Sequence, residues 1–243
     1  MKILVCISVV PDTTSKISID SSKGFIDSQG LTYIVGPYDD YALSRAIELK
    51  ESLGAEVVVL HMGSAESEPL IRKCLALGAD SAVRIDGVAK DSLQLAKEMA
   101  NYVHSNPFDL ILMGKEAIDY NSGQTHGILA GLLQMTHFSP VMHLDVEGTK
   151  LNLEVEIDGG KAVVSCNLPA VLGCQEPIAE WKIPSMRGIM TARTKEIKII
   201  SPSISSGQVH VSEVINETNR KQMMIPSDQL NMLVDYLKQD VQF

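Results

Sequence analysis

Apolar and polar positions form two kinds of block along the first 135 residues. Short apolar runs at 3–10, 56–62, 81–85 and 109–113 alternate with longer stretches in which apolar residues recur every three or four positions. The short runs predict buried strands, and the periodic stretches predict amphipathic helices. One helix is predicted to begin at Pro37 and end at Gly54, with acidic residues in its first turn. This alternation predicts an α/β fold whose parallel core sheet carries helices on both faces.

The pattern changes after Pro140. Short apolar pieces joined by glycine-bearing turns at 148–150 and 158–160, and by Pro169, predict antiparallel strands that include 170–175. Two β-prone pieces around residues 22–24 similarly predict a hairpin. From 176 to 188 the chain is a proline-bearing loop that contains the lone Trp181.

The sequence becomes polar and linker-like beyond Ser201 and ends in an amphipathic stretch from Pro226. We therefore predict an α/β domain over 1–200, with antiparallel strands and a partner loop at 140–200, and a linker with a C-terminal helical arm over 201–243. An apolar stripe of this kind packs either on its own domain or on another chain, and the sequence favours neither.

Composition narrows the functional classes. The net charge is −9 and basic residues do not cluster, which argues against a nucleic-acid partner. The apolar runs are too short to cross a membrane, and Pro11-Asp12 ends the first one without a cleavage site, so we predict a cytoplasmic protein without membrane insertion. Four cysteines without C-x-x-C spacing predict buried free thiols, and the six histidines give no support for a metal site.

The segment GKEAIDYNSGQTHG, residues 114–127, separates a predicted strand from a predicted helix. Such connections usually need two to six residues, so its length suggests a ligand. Gly114 allows close backbone approach, and the helix N-terminus near Thr125 suits an anion. The segment matches neither phosphate-loop nor G-x-G-x-x-G patterns, so on its own it fits a solvated connection equally well. Parallel strands would bring it to the carboxyl edge of the sheet, where ligands bind.

Catalytic constellations are absent from the sequence pattern. His126 has no partner at a recognisable spacing, which favours a surface or capping histidine. Asp119 fits either a nucleotide-bound metal or loop N–H groups, and Ser122 lacks the context of a nucleophile elbow. We therefore predict a binding or carrier protein, not an enzyme.

Six segments, taken in order, resemble the β subunit of electron transfer flavoproteins over most of residues 1–200. They are MKILVCISVVPDT, GPYDDYALSRAIELKE, LALGADSAVRI, DLILMGKEAIDYNSGQT, EIDGGKAVVSCNLPAVL and RGIMTARTKEI. Several linked segments in the right order are more specific than any one motif.

The resemblance implies a Rossmann-like, adenine-nucleotide-binding chain that forms a heterodimer with an α subunit. That heterodimer carries one FAD, held mainly by the α subunit, and passes electrons from flavin dehydrogenases to a quinone reductase or another acceptor. The β subunit commonly holds AMP as a structural ligand. By position, the resemblance assigns the AMP (or second FAD) pocket to Cys6, Gly36, Pro37, Tyr38, Asp39, Met62, Gly114, Lys115, Glu116, Ala117, Ile118, Asp119, Tyr120, Asn121, Ser122, Gly123, Gln124 and Thr125.

The resemblance also assigns contacts with partner proteins. The segment from Glu176 to Met190 would dock dehydrogenases, and the C-terminal arm would embrace the α subunit. Tyr38 is either close to the flavin or a helix residue in the core. The residues assigned to dehydrogenase docking are Glu176, Trp181, Met186, Ile189 and Met190.

Some positions depart from the family pattern. Ser8 stands where Lys is usual, Gly36 stands where Asn is usual, and the partner loop lacks the arginine-rich pattern. Electron-bifurcating members hold a second FAD in place of AMP and typically have Val-Gly after the loop glutamine. Gln124-Thr125 therefore favours AMP, whereas the GPYDDYAL segment leans towards the bifurcating members.

Two further classes remain as alternatives. An ATP-binding regulator of the universal-stress type has a similar sheet, but it needs none of the strands after Pro140. An enzyme acting on adenylated substrates would need the base and nucleophile that the sequence lacks.

Overall fold

The computed structural model describes residues 1–17, 19–20, 25–26, 30–204 and 223–240. The strands are β1 Lys2–Cys6, β2 Val9–Pro11, β3 Ile19–Asp20, β4 Phe25–Ile26, β5 Tyr33–Val35, β6 Glu56–Gly63, β7 Ser81–Asp86, β8 Leu110–Gly114, β9 Thr136–Glu147, β10 Lys150–Ile157, β11 Gly160–Asn167, β12 Ala170–Cys174 and β13 Ile197–Ile200. The helices are α1 Pro37–Leu53, α2 Glu68–Leu77, α3 Ser92–Ser105, α4 Thr125–Leu133, α5 Met186–Ala192 and α6 Leu230–Asp240. Short 3₁₀ turns at Ala65–Ser67 and Ser227–Gln229 precede α2 and α6.

Nine strands form one sheet in the order β11-β10-β9-β12-β8-β1-β6-β7-β13. From β9 to β13 every neighbouring pair is parallel, and β10 pairs antiparallel with both β9 and β11. The predicted α/β class with a parallel core is confirmed.

Two apolar clusters cover the two faces of the sheet. Alternate residues of β1 show the division, since Ile3 and Val5 pack with α1 and α2 while Leu4 and Cys6 pack with α3 and α4. This two-sided burial explains why the parallel strands are apolar throughout and do not alternate with polar residues. Helix α1 ends at Gly54, whose φ of 68° is the left-handed conformation that stops helices.

Two strand predictions are wrong. The apolar run 3–10 is broken after β1, and its second half, β2, pairs with β5 in a separate small sheet. The segment 170–174, expected to be antiparallel, is a central parallel strand between β8 and β9. Its five residues are all buried, which is the pattern of a parallel strand covered on both faces. The edge strand β13 was not predicted.

The hairpin around residues 22–24 has β3 and β4 as its antiparallel strands, but its turn lies outside the described residues. The linker over 205–222 lies outside them too, and the predicted arm is represented by α6. The chain separates into two compact units, 1–209 and 210–243. The domain limits at 200 and 201 stay a prediction, as does the surface on which α6 packs. In the part of the chain that the structure describes, no helix is long and apolar enough to span a membrane.

Candidate functional site

The chain changes direction across the sheet at β1. It leaves β1 through α1 to reach β6 on one side, and it later returns through β8 on the other side. A parallel sheet binds ligands at the carboxyl ends of the strands beside such a reversal. The ends of β1 and β8 are Cys6 and Gly114, and the loop that follows Gly114 is the long segment singled out in the sequence.

Asp39, in the first turn of α1, joins the three segments that meet at this reversal. Its Oδ2 accepts hydrogen bonds from the Ser8 N–H, at 2.7 Å, and from the Ser8 hydroxyl, while its Oδ1 accepts from the Gly114 N–H at 2.7 Å. The carboxylate therefore fixes the end of β8, where the loop begins, relative to α1 and to the segment after β1.

The buried position of Asp39 affects its ionisation. Burial raises the pKa of the Asp39 carboxyl to about 6, the hydrogen bonds from Ser8 and Gly114 act in the opposite direction, and the neighbouring Asp40 raises the pKa further. Asp39 is therefore mostly ionised at pH 7, where it accepts from all three donors.

Two glycines make room for this carboxylate. A Cβ on Gly36 would lie 2.4 Å from Ser8 Oγ and 2.6 Å from Asp39 Oδ2, and a Cβ on Gly114 would lie 2.7 Å from Asp39 Oδ1. The Ser8–Asp39 contact therefore leaves no space for a side chain at position 36.

The loop from Gly114 to Thr125 is held at its front end and is hydrogen-bonded within itself further along. The Lys115 N–H donates to Cys174 O at 2.9 Å, and Lys115 Nζ lies 4.9 Å from the centre of the Tyr38 ring. Further along, the Asn121 N–H donates to Ala117 O at 2.8 Å, and Asn121 has a positive φ of 49°. The loop thus has a defined conformation at the carboxyl edge of the sheet.

Helix α4 begins at Thr125, at the end of this loop. In the described structure no side chain caps α4, whereas the Asp91 side chain caps α3 by accepting from the Gln94 N–H. The first N–H groups of a helix need acceptors and favour anions. The start of α4 can therefore bind an anionic group, with the Thr125 hydroxyl as an additional donor.

The sequence interpretation of His126 is wrong. Its side chain is only 6% exposed, and it lies in a hydrogen-bonded cluster with His137 and Ser139 of β9. No regular spacing connects position 126 to position 137, and only the pairing of β9 beside β12 brings them together.

Cys6 is the last residue of β1 and Met62 the penultimate residue of β6, so both lie at the same edge as the loop. Both side chains belong to the apolar cluster under α3 and α4. Burial raises the pKa of the Cys6 thiol well above its ordinary value, so that it stays protonated and unreactive. All four cysteines lie in the described part of the chain and are free; three are buried and Cys166 is partly buried, as predicted in outline.

The segment from Glu176 to Met190 forms an exposed apolar surface. Met186 and Met190 are 76% and 66% exposed, and Trp181 is 54% exposed. Helix α5, which starts at Met186, lies directly on α2, because a Cβ on Gly188 would be 2.2 Å from Ala76 O. The sequence did not predict α5. The structure thus places Met186, Ile189 and Met190 on a packed helix and Trp181 in the loop before it. The docking role of these residues stays a prediction.

Comparisons with known proteins point to one family. Residues 23–205 match the family model described as electron transfer flavoprotein domain. The chain is similar to proteins named electron transfer flavoprotein subunit beta from three organisms. For Bacillus subtilis the identity is 34%, covering 82% of this chain and 78% of the relative. The values are 33%, 88% and 84% for Syntrophomonas wolfei and 31%, 83% and 82% for Homo sapiens.

Proposed function

Because the chain belongs to the electron transfer flavoprotein family and matches its β subunits, we propose that it binds AMP in the Gly114–Thr125 loop as part of an electron-carrying heterodimer. Membership implies an electron-transfer role and an α subunit as partner. The observation that carries the AMP assignment is the loop itself, which is fixed at Gly114 by Asp39 and leads into the uncapped start of α4.

The residues present suit a terminal phosphate. The first N–H groups of α4 and the Thr125 hydroxyl supply donors at one end of the loop, and Gly114 keeps the backbone open at the other. The adenine would lie over the ends of β1 and β6, against the backbone at Cys6 and Met62. In this arrangement AMP is a structural ligand that joins the loop to the sheet.

FAD would be shared with the α subunit and would supply the electron storage when bound. This chain would contribute Tyr38, whose half-buried ring lies beside Lys115 Nζ at the first turn of α1. Dehydrogenases would dock on the exposed surface around Trp181, Met186, Ile189 and Met190, and electrons would leave to a quinone reductase or another acceptor. The proposed location is the cytoplasm.

A bifurcating β subunit with a second FAD in place of AMP is the alternative. The GPYDDYAL segment leans towards it, because it resembles the corresponding segment of bifurcating members. Thr125 favours AMP, since a hydroxyl at the helix start suits a terminal phosphate whereas a dinucleotide pyrophosphate needs more room.

Replacement of the loop hydroxyl tests this assignment. Thr125→Val keeps the shape of the side chain and removes one hydrogen bond to the charged phosphate, worth about 1.5 kcal/mol, so we expect AMP affinity to fall by about tenfold. The AMP-dependent rise in melting temperature should shrink with it, because a ligand bound only to the folded state stabilises that state. Titration calorimetry and thermal unfolding of the purified heterodimer, with and without AMP, measure both effects.

Thr136→Val is the matched control, because Thr136 is an exposed residue at the start of β9, outside the loop. It should leave AMP affinity unchanged. Equal AMP affinity in Thr125→Val and the unmodified protein would show that the Thr125 hydroxyl does not bind AMP.

A further inference from the structure

A chain of hydrogen bonds runs from the front of the loop into the sheet. His126 Nε2 lies 2.7 Å from Lys115 O, and His126 Nδ1 lies 2.9 Å from His137 Nε2. Ser139 Oγ lies 3.3 Å from His126 Nε2. These hydrogen bonds thus link Lys115, the second residue of the loop, to the start of α4 and to β9.

The chemistry of the acceptor fixes where the protons lie. Lys115 O is a carbonyl and only accepts, so His126 Nε2 carries the proton. His126 Nδ1 is then a bare acceptor, and His137 Nε2–H donates to it. Ser139 Oγ lies close enough to share the His126 Nε2–H as a second acceptor. These hydrogen bonds require His126 to be neutral with its proton on Nε2.

Packing leaves the two imidazoles little freedom. Their rings stack with centroids 4.9 Å apart and an interplanar angle of 16°. On β12, a Cβ at Gly173 would lie 2.3 Å from Ser139 Oγ and 3.0 Å from His126 Cδ2, so the backbone itself closes the space around the cluster. The side chain of His126 is therefore held in one orientation, with Nε2 directed at the loop.

We propose that His126 and His137 are positioning residues that hold the front of the Gly114–Thr125 loop in the conformation that binds the nucleotide. This inference rests on the proposed AMP-binding function, and it adds two residues that do not touch the ligand. Asp39 fixes the loop through the Gly114 N–H, and the histidine pair fixes it one residue later through the Lys115 carbonyl. The two contacts come from opposite faces of the sheet, α1 on one and α4 on the other.

The hydrogen bond between His126 and His137 depends on pH. Burial lowers the pKa of His126, and burial together with the neighbouring His126 lowers the pKa of His137 to about 4. The groups that meet the pair are the Lys115 carbonyl from the loop, the Ser139 hydroxyl from β9 and the Gly173 backbone from β12. Both rings are neutral at pH 7. Protonation of His126 at Nδ1 would place two N–H groups against each other and break its hydrogen bond with His137, whereas the His126 Nε2–H would still donate to the Lys115 carbonyl. We therefore expect the support that His137 gives to His126 to be lost at acidic pH.

The test uses the full-length chain with its α subunit and measures amide hydrogen exchange over residues 115–125. His137→Phe keeps a ring but removes the donor, and we expect about fivefold faster exchange in the loop and a similar fall in AMP affinity at pH 7. His137→Gln retains an N–H donor at a similar reach and should behave like the unmodified protein. His143→Phe is the matched control, since His143 lies on the same strand but pairs with the exposed Asp145.

The outcomes distinguish the positioning role of the histidines from the proposed binding of AMP. Unchanged loop exchange in His137→Phe, or equal acceleration in His143→Phe, would overturn the positioning role whether or not AMP binds. Nitrogen-15 NMR provides a second measurement that needs no ligand: the proposal requires the Nε2–H tautomer of His126, and an Nδ1–H tautomer would contradict it. Absence of AMP binding by the unmodified heterodimer would contradict the proposed function. The hydrogen-exchange result would still test whether His126 and His137 position the loop.

Discussion

Asp39→Asn should weaken AMP binding by about 10- to 100-fold while changing the melting temperature little. The amide of Asn has one oxygen, so in either orientation its N–H₂ group faces the N–H of Gly114 or that of Ser8. A charge-assisted hydrogen bond contributes about 1.5–3 kcal/mol, and its loss at the start of the loop accounts for the expected fall in affinity.

The small change in stability follows from two opposing effects. The pKa of Asp39 rises from 3.8 in the unfolded reference to about 6 in the folded protein, so at pH 7 the buried charge costs about 3 kcal/mol that the Asn variant does not incur. The N–H group left without an acceptor costs about 1–3 kcal/mol in the variant. These two contributions are of similar size and opposite sign.

The pH dependence distinguishes this account from a general loss of structure. Between pH 4 and 6 the folded protein holds a proton on Asp39 that the unfolded chain has released, so this residue favours folding more at low pH. Relative to the Asn variant, the free energy of unfolding of the unmodified protein should therefore fall as the pH rises from 4 to 6 and then stay level. Urea unfolding at several pH values measures it, and a constant difference would contradict the raised pKa.

Asp40→Asn is the matched control for the effect on AMP. Asp40 is also buried, but its Oδ2 accepts from Trp181 Nε1 at 3.3 Å and lies 3.5 Å from Lys73 Nζ, away from the loop. Its replacement should leave AMP affinity within about twofold of the original, well below the effect of one hydrogen bond. Equal losses in both variants would show that Asp39 has no specific role.

Gly114→Ala should lower the melting temperature by several degrees and abolish measurable AMP binding. The added Cβ would lie 2.7 Å from Tyr38 Cβ and 3.0 Å from the backbone nitrogen of Asp39, so the first turn of α1 or the end of β8 has to move. Overpacking of this kind costs about 1–3 kcal/mol, and each kcal/mol lowers the melting temperature of a chain of this size by about 2–4 °C. The same movement separates the loop from the Asp39 carboxylate.

Gly131→Ala provides the comparison within the neighbouring helix. Gly131 is inside α4, and a Cβ there would meet no atom within 4 Å, so the substitution should raise stability by about 0.5–1 kcal/mol through helix propensity alone. Thermal unfolding and AMP titration of both variants measure the contrast. A Gly114→Ala protein with normal melting and normal AMP affinity would show that the close approach to α1 is unimportant.

The architecture could be predicted from the sequence wherever a hydrophobic pattern was compatible with only one kind of secondary structure. The apolar runs that became β6, β7 and β8 are flanked by periodic stretches that can only be helices, so their parallel pairing followed. The prediction for residues 170–174 failed because their flanking turns resemble those of the antiparallel strands before them. Only their continuous burial between β8 and β9 identifies this strand as parallel.

The contacts within the site were harder to predict from the sequence. The loop from Gly114 to Thr125 was identified by its length and its glycines, but the partners of Asp39 lie 31 and 75 positions away, and no local pattern connects them. The pairing of His126 with His137 depends on the register of β9 against β12 in the same way. Residues whose roles arise from the sheet order can be recognised only after that order is known.

The content of nucleotides in the purified complex tests the central claim most directly. The chain is co-expressed with its α subunit, the heterodimer is denatured, and the released FAD and AMP are quantified per heterodimer. The proposal predicts one FAD and one AMP. Two FAD molecules without AMP would contradict the assignment of AMP to the Gly114–Thr125 loop and identify a bifurcating β subunit.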